Sequence, residues 1–486
     1  MDAKVAFLSE LVAAARVSVT DAAARSLTQT AILISPVEGA VIKSGDTAWM
    51  LFSSALVLLM TMPGLAIYYG GMVSSKNVLA TVMQSFSICC LVTFLWLCFG
   101  YSLAFAPTAF HGIEKADFDH TKVFGDASRF FLRGLNFSSI SQMANTIPES
   151  VYCMFQLTFA IITAALICGS FADRIKYWSL MLFIGLWHLA VYCPLAHSIW
   201  HFEGFLFQIG VLDFAGGNVV HISSGTAGLV AALILGNRKG WTPKDHNSHR
   251  PHNILLTFMG MSLLWVGWFG FNAGSATAAG YSAGFAMLST QIATSTASLS
   301  WMLTELIFRK GHKPSVLGMV NGAIAGLVAI TPACGYVDFT GAFVIGVVAG
   351  FFCYFGARLK YYVFKIDDAL DAFGIHAIGG IVGGISTGFF ATSTVTQELA
   401  PPANQNANGV YYTDRNGGGR QLGVQLAGIV FAMGWSGIVS FIILKAIELT
   451  IGLRVSEEEE DAGLDSSLHG ESIVNPEASG DKNSVA

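Results

Sequence analysis

Asp213-Phe-Ala-Gly-Gly-Asn-Val-Val-His221 and Asp368-Ala-Leu-Asp-Ala-Phe-Gly-Ile-His376 are the two stretches on which the fold turns. In each, an Asp stands eight residues before a His. Glycines then follow the His at four and seven residues: Gly225 and Gly228 in one, Gly380 and Gly383 in the other. Each motif opens an apolar run of about 20 residues, enough to cross roughly 30 Å of hydrocarbon as a helix. Eleven such runs occur, at about 48–70, 79–107, 149–172, 177–200, 213–236, 253–275, 280–308, 315–333, 337–357, 369–392 and 421–452. The composition demands them. Of 486 residues, 53% are hydrophobic and only 12% charged, with mean hydropathy +0.58. A soluble domain carries about twice that charged fraction. The net charge of −5 excludes nucleic-acid binding as the main business. The eight cysteines lie in or beside apolar runs and read as small buried hydrophobes, not as disulfides or metal ligands. This is an all-α polytopic membrane protein.

Charge sets the orientation. Loops after the first, third, fifth, seventh and ninth runs carry Lys76; Arg174 and Lys176; Arg238, Lys239, Lys244 and Arg250; Arg309, Lys310 and Lys313; and Arg358, Lys360 and Lys365. Short loops after the fourth, sixth and eighth runs carry no Lys or Arg. The N-terminus is therefore expected outside and the C-terminus inside. Three parts follow: an extracellular tail 1–45, a membrane domain 46–452 and a cytoplasmic tail 453–486, acidic at Glu457 to Asp461. Segments 108–148 and 393–420 are expected as long extracellular loops. The fifth run enters from outside and the tenth from inside. A five-helix unit used twice returns inverted, an arrangement common in transporters. The expectation is two inverted five-helix repeats plus a last helix.

Eight residues of helix rise about 12 Å, so His221 and His376 approach one depth from opposite faces. Either alone reads equally as a membrane histidine satisfied by one carbonyl or hydroxyl. As a matched pair in inverted repeats they point to a pathway, with imidazoles able to touch. Asp213 has two compatible roles: a helix cap for the amides near Gly216 and Gly217, and a fixed negative charge favouring a waiting cation. Asp368 and Asp371 are expected to mirror it inside. Leu264 to Ser275 (LWVGWFGFNAGS) places a hydroxyl at the outer end of the sixth run, and Phe155 and Phe159 are rings one turn apart.

DFAGGNVVHI, LLWVGWFGFNAGSA, AITPACGYV, DDALDAFGIHAIGGIVG and RVSEEEEDAGLDSSLHGE together resemble the ammonium transporter (Amt/Mep/Rh) family, on its Amt/Mep side, from about residue 46 to 472. The resemblance implies roles. His221 and His376 are the twin pore histidines, and Phe159 and Phe271 the stacked gate rings. Trp200, Ser275 and Phe159 form the recruitment site, Trp268 and Thr331 stand beside the pore, and Asp213 is the family's essential acid. It also implies ammonium and methylammonium as substrates, a homotrimer with one conduit per subunit, a multi-pass cell membrane location, and no enzymatic activity, cofactor or metal. The tail is then a regulatory element, open to a PII-like protein or a kinase, that docks on the neighbouring subunit; Ser456 beside four glutamates is where a phosphate would undo docking. Segment 201–212 departs from the pattern, being aromatic-rich where family members are Gly-rich. Two rivals remain: an ammonium sensor signalling through the tail, and an Rh-like NH3/CO2 gas channel, against which Trp200 speaks.

Overall fold

A computed structural model describes residues 41–107, 123–245, 249–309, 311–396, 407–412 and 418–473. The expected tail 1–40, the segments 108–122, 397–406 and 413–417, and the last residues 474–486 lie outside the described residues. So does His246, one of three loop histidines at three-residue spacing.

Among the described residues eleven long helices follow the eleven apolar runs. They are α1 (Ser44–Met72), α2 (Val78–Phe105), α3 (Glu149–Ser170), α4 (177–200), α5 (Gly217–Leu235), α6 (Ile254–Gly274), α7 (Tyr281–Phe308), α8 (Val316–Ile330), α9 (Phe339–Gly356), α10 (Phe373–Phe390) and α11 (Gly419–Thr450). No strand forms among these residues beyond isolated bridges. Nine of the spans are long and apolar enough to cross a membrane by composition alone. The exceptions have plain causes. α7 is 28 residues long but rich in Ser and Thr, and α8 is a 15-residue apolar helix. With apolar residues on every side, most of the helices suit burial or lipid. Polar side chains mark several starts: Asn253, Ser315 and Asp338 each accept an amide two or three residues into the helix that follows.

α5 and α10 cross at the centre, and glycine makes the crossing possible. A Cβ on Gly225 would stand 2.5 Å from the Ala377 amide nitrogen. One on Gly380 would stand 2.8 Å from Ile222 Cγ1. Each glycine thus meets the residue just after the other helix's histidine, and any larger side chain would push the backbones apart.

Both histidines lie in π-helical turns, Gly217–Ile222 and Phe373–Ala377. The His221 amide reaches back five residues to the Gly216 carbonyl at 3.1 Å. Such one-turn π segments concentrate at functional sites. Similar turns interrupt α1, α2 and α4 at Met60–Leu65, Trp96–Gly100 and His188–Tyr192.

The chain beyond α11 docks on its own subunit. The Leu453 carbonyl accepts from Lys176 N at 2.8 Å, and Val455 N donates to the Arg174 carbonyl at 3.2 Å. Two short helices follow, α12 (Glu457–Ala462) and α13 (Leu464–His469). Leu464 N donates to Asn77 Oδ1 at 2.7 Å, and Asp465 Oδ1 accepts from Ala80 N at 2.7 Å. Buried Leu464 and Val455 pack on Ala80.

Charge plays a smaller part than the sequence suggests. The Lys239–Asp461 pair is largely exposed, and exposed pairs contribute about 0–1 kcal/mol. Beneath the tail lies a buried cluster in which Arg238 spans Asp367 at 2.6 Å and Asp173 at 2.9 Å. Fully buried Arg174 stands 3.8 Å from the same Asp367. The guanidinium of Arg238 holds the Asp367 carboxyl below the usual carboxylate range, against the opposing effect of burial.

Candidate functional site

A cavity of about 1020 Å³ opens at the end of the bundle where α4 stops. Trp200, Phe159, Ser275, Asp213, Gln156 and Tyr336 are among its walls. The three residues expected at the recruitment site, Trp200, Ser275 and Phe159, therefore share one space with the expected essential acid Asp213. Segment 201–212 contributes Phe202, Phe207 and Gln208 to the lining, and Glu203 is not part of it.

Trp200 is held by its indole N–H, which donates to the Asp213 carbonyl at 2.9 Å. Its ring stands edge-on to Phe159, centroids 5.8 Å apart at 86°. Ser275 donates its hydroxyl proton to the Phe271 carbonyl at 2.9 Å. That bond leaves the oxygen lone pairs free to accept from a guest N–H.

Asp213 caps α5. Its Oδ1 accepts from Gly216 N at 2.9 Å and Gly217 N at 2.5 Å; its Oδ2 accepts from Asn218 N at 2.8 Å and Val219 N at 3.3 Å. Burial pushes its carboxyl up, and the four amide bonds at the positive end of the helix oppose that shift. The sequence pointed to the amides at Gly216 and Gly217; the fold adds two more.

Asp368 caps α10 in the mirrored place, its Oδ2 accepting from Phe373 N at 2.9 Å and Gly374 N at 3.4 Å. Burial pushes its carboxyl up to about 6. The expected mirror role of Asp371 is corrected. Asp371 is no cap but pairs with Lys360 at 2.8 Å.

Below the vestibule the path narrows at once. Phe159 and Phe271 stack with centroids 4.1 Å apart and planes at 19°. Phe155 backs Phe159 at 4.8 Å. Beyond the rings His221 and His376 meet, their Nδ1 atoms 3.3 Å apart and their rings inclined by 17°.

A shared Nδ1 hydrogen bond fixes the tautomers as opposites. One ring donates from Nδ1 and keeps a lone pair at Nε2; the other accepts at Nδ1 and carries a proton at Nε2. The pair thus presents one acceptor and one donor along the path. His221 Nε2 is buried with no protein partner.

Around the rings is a cavity of about 10 Å³, close to the least that admits one water-sized molecule. Its other walls are almost all apolar, including Val220, Ile162, Leu264 and Ile324. Trp268 stacks on His221 at 5.4 Å and 19°, and its indole N–H donates to Thr331 Oγ at 3.0 Å. Thr331 itself does not touch the cavity. It acts through Trp268.

A profile of the Ammonium Transporter Family matches residues 48–474. The chain belongs to that family. It is 46% identical over 429 residues to an ammonium transporter of Bacillus subtilis, covering 88% of this chain and 98% of the relative. It is 45% identical over 436 residues to an ammonium transporter of Aquifex aeolicus, covering 90% and 95%. Among solved structures, Mep2 of Candida albicans superposes with a TM-score of 0.76 at 34% identity, covering 86% of this chain and 88% of the other.

Seen as an ammonium-transporter-family site, the vestibule depends on residues the sequence did not single out. Gln425 of α11 grips the backbone beside Asp213 from both sides. Its Oε1 accepts from Leu212 N and its Nε2 donates to the Leu212 carbonyl, each at 2.8 Å. Gln421, one turn away, donates to the Gly210 carbonyl at 3.3 Å. Two buried glutamines four residues apart on a mostly apolar helix were the available signal.

Proposed function

We infer that this protein carries ammonium across a cell membrane, with recruitment at the Trp200 vestibule and passage of neutral ammonia beside His221 and His376. One observation carries the reading: a ring-sealed, mostly apolar passage in which a histidine pair offers a buried, unpartnered nitrogen. The basic loops and the tail lie together at the opposite end of the bundle, so the vestibule faces outward by the positive-inside rule.

Each step follows from the chemistry of the walls. A cation in the vestibule is attracted by the faces of Trp200 and Phe159, worth roughly 0.5–2 kcal/mol. The Ser275 lone pairs accept one of its N–H bonds, and the negative charge of Asp213 lowers its energy there. Moving the intact ion into the apolar passage would be far more unfavourable than these contacts can offset. Ammonium leaves its proton with the water of the open vestibule, and ammonia, still a hydrogen-bonding molecule, passes the rings and takes up a proton from water on the far side. At the histidines it finds both an acceptor and a donor. Potassium has no proton to lose and stays outside.

The whole path lies within one chain, which accords with the expected homotrimer of three separate conduits. The tail laid over the basic loops is the surface that a cytosolic regulator would read.

The test is reconstitution. Liposomes holding the purified protein should take up ammonium and methylammonium and exclude potassium. His221→Ala should remove uptake or that discrimination. Wild-type liposomes without ammonium-dependent flux would overturn the reading.

A further inference from the structure

Behind the Trp268 indole, and out of reach of both cavities, runs a chain of buried polar groups joining three helices. Trp268 Nε1 donates to Thr331 Oγ at 3.0 Å. Thr331 Oγ stands 3.3 Å from Asn272 Oδ1 and 2.7 Å from the Leu327 carbonyl, and its single proton serves these two acceptors. Asn272 Nδ2 donates to Thr290 Oγ at 2.9 Å, and Thr290 Oγ donates to the Ala286 carbonyl at 2.7 Å. Asn272 and Trp268 stand on α6, Thr290 on α7, and Thr331 just past the end of α8. Asn272, Thr290 and Thr331 are fully shielded from solvent.

This run has a direction. It begins on the indole and ends on a backbone carbonyl, the one Thr331 proton being shared between the Leu327 carbonyl and the longer link to Asn272. In apolar surroundings an unmade hydrogen bond is costly, and a fully satisfied buried network is correspondingly rigid. What it holds rigid is the indole that lies flat on His221 and 5.5 Å from Phe271. Asn272 also directly follows the gate residue Phe271 in sequence. The strut therefore ends at the wall of the narrowest part of the path.

We propose that Asn272 and Thr290 are positioning residues that fix the Trp268 wall against the twin histidines and so set the size of amine that passes. The proposal rests on the transport reading above and adds to it a determinant of selectivity outside the pore. A cavity with room for about one water-sized molecule rejects an added methyl group only while its walls cannot move. With the strut cut, the indole gains freedom to turn, and methylammonium gains on ammonium.

Thr290→Val tests this, since it keeps the shape and deletes the hydroxyl. In liposomes the ratio of methylammonium to ammonium uptake should rise about five-fold, the effect of one typical hydrogen bond. Thr290→Ser, which restores the hydroxyl, should return the ratio to the wild-type value, as a general packing defect would not. In a Trp268→Phe background Thr290→Val should change nothing further, because its route of action is gone. If Thr290→Val does not accumulate in the membrane, Thr290→Ala serves the same comparison. An unchanged ratio in the hydroxyl-less variant overturns the proposal. So does a shift that persists in full without the indole. Either result leaves the transport reading standing, whereas that reading fails only if wild-type liposomes carry no ammonium.

Discussion

The two Asp-to-His segments share spacing, flanking glycines and π-helical turns, yet they differ in how their acids are balanced. At the vestibule, Asp213 spends both carboxylate oxygens on four backbone amides, and no basic side chain pairs with it. At the tail end, Asp371 sits in a left-handed turn (φ 59°) against Lys360, whose ammonium also donates to the Asp368 carbonyl at 2.9 Å. One end's carboxyl is met only by backbone amides; the other's brings its own cation. On the proposed reading, the repeated motif yields a mouth that attracts ammonium on one side and one that holds it less on the other.

Breaking the vestibule acid should have the largest effect. Asp213→Ala removes four cap bonds and the charge together, and ammonium uptake should be abolished. Asp213→Asn separates the two, because Asn caps a helix nearly as well as Asp. If the contrast between the ends holds, Asp213→Asn loses far more uptake than Asp368→Asn. Equal losses, measured at equal amounts of inserted protein, would dissolve the comparison.

The histidines come next, as the place where the two ends meet. His221→Ala and His376→Ala should each disrupt the path, read as lost uptake or as potassium entry in liposomes. Similar damage from either side would be expected of a shared hydrogen bond.

Trp200 belongs to the vestibule alone. Trp200→Leu should raise the ammonium concentration for half-maximal uptake by about ten-fold through the lost cation–π attraction, while uptake at high concentration falls less. An unchanged half-saturation point would remove the indole from the capture site.

A smaller change is expected at the tail end. Lys360→Met frees the charge of Asp371 and makes the two mouths more alike. Ammonium release from preloaded liposomes should quicken relative to uptake, by no more than a few-fold, and an unaltered ratio would show that the lysine is only a brace. The smallest effect belongs to the tail. Asp465→Ala removes its bond to Ala80 N, so residues beyond Leu453 should become easier to clip with protease, with little change in uptake.

The membrane fold was legible because hydrocarbon imposes a length and a composition that eleven segments obey visibly. The histidine pair was legible for the same reason: an ionisable ring in an apolar helix stands out, and equal spacing from an acid stands out twice. Other features left no local trace. The π-helical turns at the two histidines are among them. The grip of Gln425 on Leu212 joins residues 213 apart in sequence. The tail's acids pointed to the loop bases, and Glu457 and Asp461 do pair with Lys239, but the backbone bonds to 174–176 and the bonds of Asn77 and Asp465 that fix its course left no mark in the sequence. Lys360 hid among the loop bases, since nothing in the sequence says which of them turns back toward a buried acid.

The phenyl stack of Phe159 and Phe271 has a consequence for the cell that houses it. Rings in contact at 4.1 Å leave no standing column of water, and without such a column neither hydrated ions nor hopping protons find a continuous route. On the proposed reading each passage waits for the rings to part, so throughput would behave as a turnover with a ceiling and a temperature coefficient, unlike flow through an open hole. A membrane could then carry many copies without a standing leak of ions.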